Sequence, residues 1–136
     1  MAYDYNSGLV KISGAIPVGV PIAQGDILLV RCESIPEDAK PMKVGQTGNE
    51  SVYSGNRAIL AYGEATGHAH VLEIIDPTTT TLECFEKDGT MYMKVSGGPA
   101  ALKHEEHAHI EVPPANYTRI LQREWDQWSE SRRMAD

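Results

Sequence analysis

Three features of the sequence predict a mainly β fold, a small single-domain β-barrel or sandwich with a short C-terminal helix. The chain of 136 residues carries 12 Gly and 8 Pro, a level that suits turn-rich β structure better than a helical bundle. Short apolar runs recur along it, bounded by Gly, Pro, Asn and Asp, in the manner of strands and turns. Helical period occurs only past Arg123, where Trp125, Trp128 and Arg132 fall at i, i+3 and i+7 and form an amphipathic face suited to packing indoles onto a sheet.

Residues 1–23 read as an extended N-terminal arm and 24–136 as a single β-rich domain. Pro17, Gly19 and Pro21 exclude a helix in the arm and demote any strand there to a sheet edge, so the arm is expected on a neighbour or on this chain's own sheet. Gly25-Asp26 is a turn, and the unbroken apolar run Ile27-Leu28-Leu29-Val30 opens a strand buried on both faces. Ser34 to Pro41 is bracketed by prolines and holds at most one helical turn. Val44 to Asn56, rich in Gly, Ser, Asn and Thr without periodicity, reads as a mobile loop.

Arg57 to Tyr62 is the next strand and runs into Gly63-Glu64-Ala65-Thr66-Gly67, a bulge or tight turn where the backbone can approach a ligand. His68 to Ile75 resumes as a strand and ends at Asp76-Pro77. Thr80 to Glu86 and Met91 to Val95 form a hairpin through Asp88-Gly89. His107 to Val112 alternates at strand period, Pro113 to Asn116 is a turn, and Tyr117 to Gln122 is a further strand, for about seven short strands in all.

Twelve basic and nineteen acidic residues leave a net charge of −7, the wrong sign for a broad nucleic-acid surface. Arg119, Arg123, Arg132 and Arg133 are expected to pair with carboxylates or face water. Cys32 and Cys84 are far apart and form no CxxC, so free, inert thiols in the core are expected, with a disulfide as the alternative. The start, Met1-Ala2-Tyr3-Asp4-Tyr5, lacks the regions of a signal peptide, and no apolar run reaches the roughly 20 residues needed to cross a bilayer. The expectation is a cytoplasmic protein of a bacterial or phage-infected cell, with a virion as the alternative location.

All five histidines fall in two short windows, His68 and His70 in the first, His104, His107 and His109 in the second. On a strand, residues i and i+2 share a face, so His68 and His70 would point together, as would His107 and His109 with Glu111 next along. Imidazoles gathered from two neighbouring strands suit a divalent metal ion, Zn²⁺ first, with Fe, Mn or Ni also compatible. His68 and His70 lead the candidate metal ligands, followed by His107 and then His104, and His109 is the one left over. Glu64, on its glycine-flanked turn, is the candidate general base on a metal-bound water. Glu73, Glu105 and Glu106 could ligate or orient an imidazole. The competing readings are a hydrogen-bonded histidine cluster without metal and a chance surface grouping; for Glu64 the plain alternative is a solvated turn residue, and for Trp125 and Trp128 it is core packing. No GxGxxG, GxxxxGK[ST] or GxSxG motif is present.

Three stretches in order, Gln24-Gly25-Asp26-Ile27-Leu28-Leu29-Val30 with Ser34 to Pro41, then Leu60 to His70 with Gly63-Glu64-Ala65-Thr66-Gly67-His68-Ala69-His70, and lastly His104-Glu105-Glu106-His107 through Gln122-Arg123-Glu124-Trp125, resemble a family of small uncharacterised bacterial and phage proteins. The family pattern is a QGDV-type start, a GExTGHxH centre and an HxEH…QRE end, and the resemblance covers about residues 24–135. It implies that His68, His70, His104 and His107 belong to the pattern, whereas His109 stands where a small residue or proline is expected. It carries no activity. A looser resemblance is to cupin metal sites, which also begin with HxH on a strand. Here Glu73 follows His70 at less than the cupin spacing, and the proline turn lies after the second window rather than before it.

Two functions follow as expectations. One is a metal-dependent hydrolase with the ion on His68, His70 and His107 or His104, and Glu64 activating water. The other is a non-enzymatic accessory or assembly module, including a virion-associated one, with a structural metal or histidine cluster. Its partner, a second copy or a phage or bacterial protein, would dock through residues 1–23 and the Trp125/Trp128 helix.

Overall fold

A computed structural model describes residues 10–12, 16–48, 51–62 and 69–122. Within them lie twelve strands: β1 (Pro21–Gln24), β2 (Ile27–Cys32), β3 (Lys40–Pro41), β4 (Thr47–Gly48), β5 (Ser51–Tyr53), β6 (Arg57–Tyr62), β7 (Ala69–Ile74), β8 (Thr81–Lys87), β9 (Thr90–Ser96), β10 (Ala100–Lys103), β11 (Ile110–Val112) and β12 (Ala115–Leu121). They form two six-stranded antiparallel sheets, ordered β1-β2-β12-β9-β8-β3 and β11-β10-β7-β6-β5-β4. The mainly β expectation holds. Among the described residues only Gln122, the last of them, is helical, and the expected helix with Trp125 and Trp128 lies outside them.

Neither sheet closes on itself, so the barrel form of the expectation is not adopted. The outermost strands explain this: β3 and β4 have two residues each, and β1 and β3 carry Pro21 and Pro41. A strand that short offers few ladder groups, and a proline has no N–H to donate to a further strand.

Both sheets feed one core. Ile27, Leu29, Met93 and Tyr117 come from the first, and Leu60, Leu72 and Leu102 from the second. The apolar run in β2 is buried on both faces, as its composition predicts. Ile27 and Leu29 enter the shared core, while Leu28 and Val30 form a separate cluster with Ile120. Strand β7 alternates instead: His70, Leu72 and Ile74 are buried, and Ala69, Val71 and Glu73 point the other way.

The β8–β9 hairpin turns at Asp88 and Gly89, both at positive φ (51° and 80°), the backbone that an Asp-Gly hairpin requires. Val44 to Asn56 departs from the loop expectation. Thr47 pairs with Val52 and Gly48 with Ser51, and Tyr53 donates its hydroxyl proton to the Leu82 carbonyl at 2.7 Å. Strands of two and three residues contain too few positions to display a period.

Arg119 departs from its surface expectation. It is buried, and its Nη1 donates to the carbonyl of Leu60 at 2.8 Å. Leu60 is the residue skipped where the β6–β7 register shifts between Ile59 and Ala61. A bulge of this kind turns a backbone group away from the regular ladder, and the guanidinium meets that carbonyl from the opposite sheet.

The described part of residues 1–23 lies on this chain's own sheets. Val10 bridges Ile110 in parallel, Ile16 and Ile22 are buried in the core, and Pro21–Gln24 pairs with β2.

Candidate functional site

The β1–β2 turn of one sheet meets the start of β7 and the end of β10 from the other, and three imidazoles gather there. His70 faces inward, 1% exposed, paired in register with Ala61 of β6. His104 follows β10 and is also buried, whereas His107 is exposed. Ring centroids are 4.3 Å apart for His70 and His104, 4.7 Å for His104 and His107, and 6.1 Å for His70 and His107.

Gln24, the last residue of β1, fixes the state of His70. Its buried amide nitrogen donates to the Leu102 and Ala108 carbonyls, each at 2.9 Å. Two carbonyl acceptors force the NH₂ group toward them and leave Oε1 facing His70 Nδ1 at 3.0 Å. That nitrogen therefore carries a proton and donates. On the other side of the ring, Nε2 lies 2.9 Å from Asp26 Oδ1.

Burial is the largest influence on His70 and lowers its pKa, and the neighbouring His104 adds to the effect; the bond to Asp26 works in the opposite direction. Read as a salt bridge, the Asp26 contact would call for an imidazolium. Desolvation of a nearly inaccessible ring outweighs attraction to a carboxylate that is 59% exposed, so the net direction is toward neutral imidazole. A neutral ring protonated on Nδ1 presents an Nε2 lone pair to a carboxylate oxygen.

Gly25 makes the turn possible. Its φ is +56°, and a Cβ there would stand 2.7 Å from His107 Nε2 and 3.1 Å from His70 Cε1. Glycine is needed both for the left-handed backbone and for the space. The turn is held further by Gln122, whose backbone N–H donates to the Asp26 carbonyl at 2.7 Å.

The second histidine window is not the strand its alternation predicts. Strand β11 starts only at Ile110, and His107 and His109 do not share a face: His107 is exposed and His109 buried. The local bonds account for the difference. The N–H of Glu106 donates to His104 Nδ1 at 3.0 Å, and His109 Nε2 donates to the His104 carbonyl at 3.0 Å. Side-chain bonds to nearby backbone of this kind favour a turn over a sheet ladder. With Nδ1 accepting, a neutral His104 carries its proton on Nε2, so a metal on that nitrogen would require the Glu106 bond to be given up.

Of the expected ligands, the structure brings His70, His104 and His107 together. His68 and Glu64 lie outside the described residues. Glu105 Oε2 accepts from the Ala69 N–H at 3.3 Å and ties the second window to the start of β7. Glu73 faces away from the cluster and pairs with Lys103 at 3.1 Å. Among the described residues, no three His, Cys, Asp or Glu side chains are arranged to enclose an ion.

Gln24 and Asp26 were not anticipated as site residues. Both belong to the Gln24-Gly25-Asp26 stretch, but a polar pair beside a glycine reads as an ordinary solvated turn. The one available signal was that the family-like pattern includes this turn together with the histidines.

A family model described as a domain of unknown function, DUF8820, matches residues 23–122, and the chain belongs to that family. No curated protein and no solved structure matches it. Among the described residues, no helix is long and apolar enough to cross a membrane.

Proposed function

We propose that the protein binds a divalent metal ion at the seam of its two sheets, with His70 Nε2 and the Asp26 carboxylate as the nucleus of the site. His107 and His68 are the further ligands in this reading, and His104 is recruited only by exchanging its bond to Glu106. Zn²⁺ suits an imidazole-rich set best, and Fe, Mn or Ni fit the same donors.

The single observation that carries the reading is the 2.9 Å approach of His70 Nε2 to Asp26 Oδ1, on a ring whose other nitrogen must donate to Gln24. With a neutral ring two lone-pair donors face each other, an arrangement that a shared proton relieves and that a divalent cation beside them relieves as well. Adjacent ligands on an ion with bonds of about 2.0–2.2 Å lie about 2.9–3.4 Å apart, so these two atoms already have ligand spacing. The exposed His107, its ring 6.1 Å from that of His70, would be the nearest further imidazole for such an ion apart from His104.

If one coordination position stays open to water, the chemistry is that of a metal-dependent hydrolase, with Glu64 taking the proton from the bound water. A closed site would instead be structural. The second reading, a metal-free histidine clasp in a non-enzymatic accessory or assembly module, is favoured by Gln24, whose buried amide joins β1 of one sheet to Leu102 and Ala108 beside the other.

Elemental analysis of the purified protein, with melting curves before and after chelation, tests the proposal. One equivalent of metal is expected, with Asp26→Asn and His70→Ala each weakening Zn²⁺ binding at least about ten-fold. Retention below about 0.2 equivalent, with melting unmoved by added Zn²⁺, Mn²⁺ or Fe²⁺, overturns it and leaves the clasp. If metal is bound, its removal lowers the melting temperature by several degrees at a structural site and abolishes only activity at a catalytic one.

A further inference from the structure

The face of β7 turned away from the histidine cluster lines a shallow cleft of about 260 Å³. Its floor is Ala69 and Val71, two small outward-facing residues separated by one position of the strand. Arg57 of β6 lies across from Glu73 at one end, Lys103 of β10 stands across from Val71, and His104, Glu105 and His109 also line the cleft.

The pairing of charges at the first end is unsymmetrical. Glu73 is the register partner of Arg57, and opposite charges directly across an antiparallel pair ordinarily attract. Here the Glu73 carboxylate goes the other way, to Lys103 Nζ at 3.1 Å. Arg57 is exposed, and no carboxylate among the described residues pairs with it. A guanidinium with its planar donor fork stands at the lip of an apolar floor, and a carboxylate is the group that matches that fork.

We infer that this cleft binds a small organic carboxylate, its anionic head on Arg57 and its apolar body along Val71 and Ala69 toward His104. The size is consistent: the volume lies just under the range of about 300–1,000 Å³ typical of drug-sized ligand sites, which points to a compact molecule. The floor of the cleft and the His70–Asp26 nucleus lie on opposite faces of β7, and His104 borders both; the anionic head sits at the Arg57 end, so its binding is expected without a metal.

The test is a titration of ¹⁵N-labelled protein with 3-phenylpropionate, its amide and its amine, followed through the backbone amides of Val71 and Lys103. Tyr92, on the other sheet, serves as the control, and each titration is run with and without chelator. The expected result is saturable shifts at Val71 and Lys103 with the carboxylate only, unchanged by chelation. Arg57→Ala is expected to weaken binding at least about five-fold, and Arg57→Lys to restore part of it because charge returns without the fork. Arg57 is exposed, so retained amide dispersion in the variant reports that the fold is intact. No saturable shift at tens of millimolar, equal binding of the amine, or an unchanged affinity in Arg57→Ala each overturns the inference. Loss of carboxylate binding on chelation overturns its independence from the metal.

Discussion

Asp26 and His70 stand 44 positions apart in the chain, yet their side chains meet at 2.9 Å across the seam between the sheets. The pH dependence of folding reports on this contact. Burial first, and then His104, lowers the His70 pKa below its ordinary value of 6.5. Below that value the unfolded chain binds the proton more readily than the native one, so the contribution to stability is full above about pH 6.5 and is lost as pH falls. The melting temperature of metal-free protein is expected to drop from about pH 7.5 to about pH 5.5, and His70→Gln should flatten part of that slope. Asp26→Asn removes the one attraction that opposes the shift and should steepen it. A slope identical in all three proteins would show that His70 titrates as it does in the unfolded chain.

Gln24 makes three bonds from a buried position, to Leu102, Ala108 and His70. Gln24→Leu keeps the approximate volume and strands all three partners. The expected loss is about 2–4 kcal/mol, read from urea denaturation at constant m. A loss within about 0.5 kcal/mol would mean that water takes over these bonds.

Gly25 and Gly19 make a controlled comparison. Both have positive φ, +56° and +88°, but a Cβ at Gly19 meets nothing within 4 Å, whereas one at Gly25 stands 2.7 Å from His107 Nε2. Gly19→Ala should cost about 1 kcal/mol through backbone strain alone. Gly25→Ala should cost more, and His107→Ala should recover part of the difference, because it removes the nearer of the two rings that the new methyl meets while His70 Cε1 stays at 3.1 Å. A double-mutant cycle measures the coupling.

Cys84 is buried among strands and its thiol is pushed up to about 12 by that burial. At about pH 8 its thiolate population is negligible and alkylation of native protein should not reach it, while the half-buried Cys32 is modified first. Mass spectrometry is expected to show one adduct on native protein and two after urea. Because the native state holds this proton beyond the ordinary value of 9.0, the associated stability is present below about pH 9 and falls as pH climbs above it.

The sequence by itself determined what short-range chemistry determines. Period-two alternation set β7, an unbroken apolar run set β2 with both faces buried, and Asp88-Gly89 set a hairpin whose two residues both take positive φ. Histidine clustering marked the windows of His68 and His70 and of His104 and His107, and the direct pairing of β7 with β10 is what sets His70 beside His104 and His107. Only the tertiary structure decided the rest. It sorted the strands into two open sheets, turned His107 and His109 to different sides, and buried Arg119 against a bulge carbonyl 59 positions away. It also turned a plain Gln24-Gly25-Asp26 turn into the polar frame of the site, through bonds spanning 44 to 84 positions. A hydrogen bond between distant segments imposes no period and no composition on the residues between them, so its partners carry no local mark, and they are defined only when the two sheets close over one core.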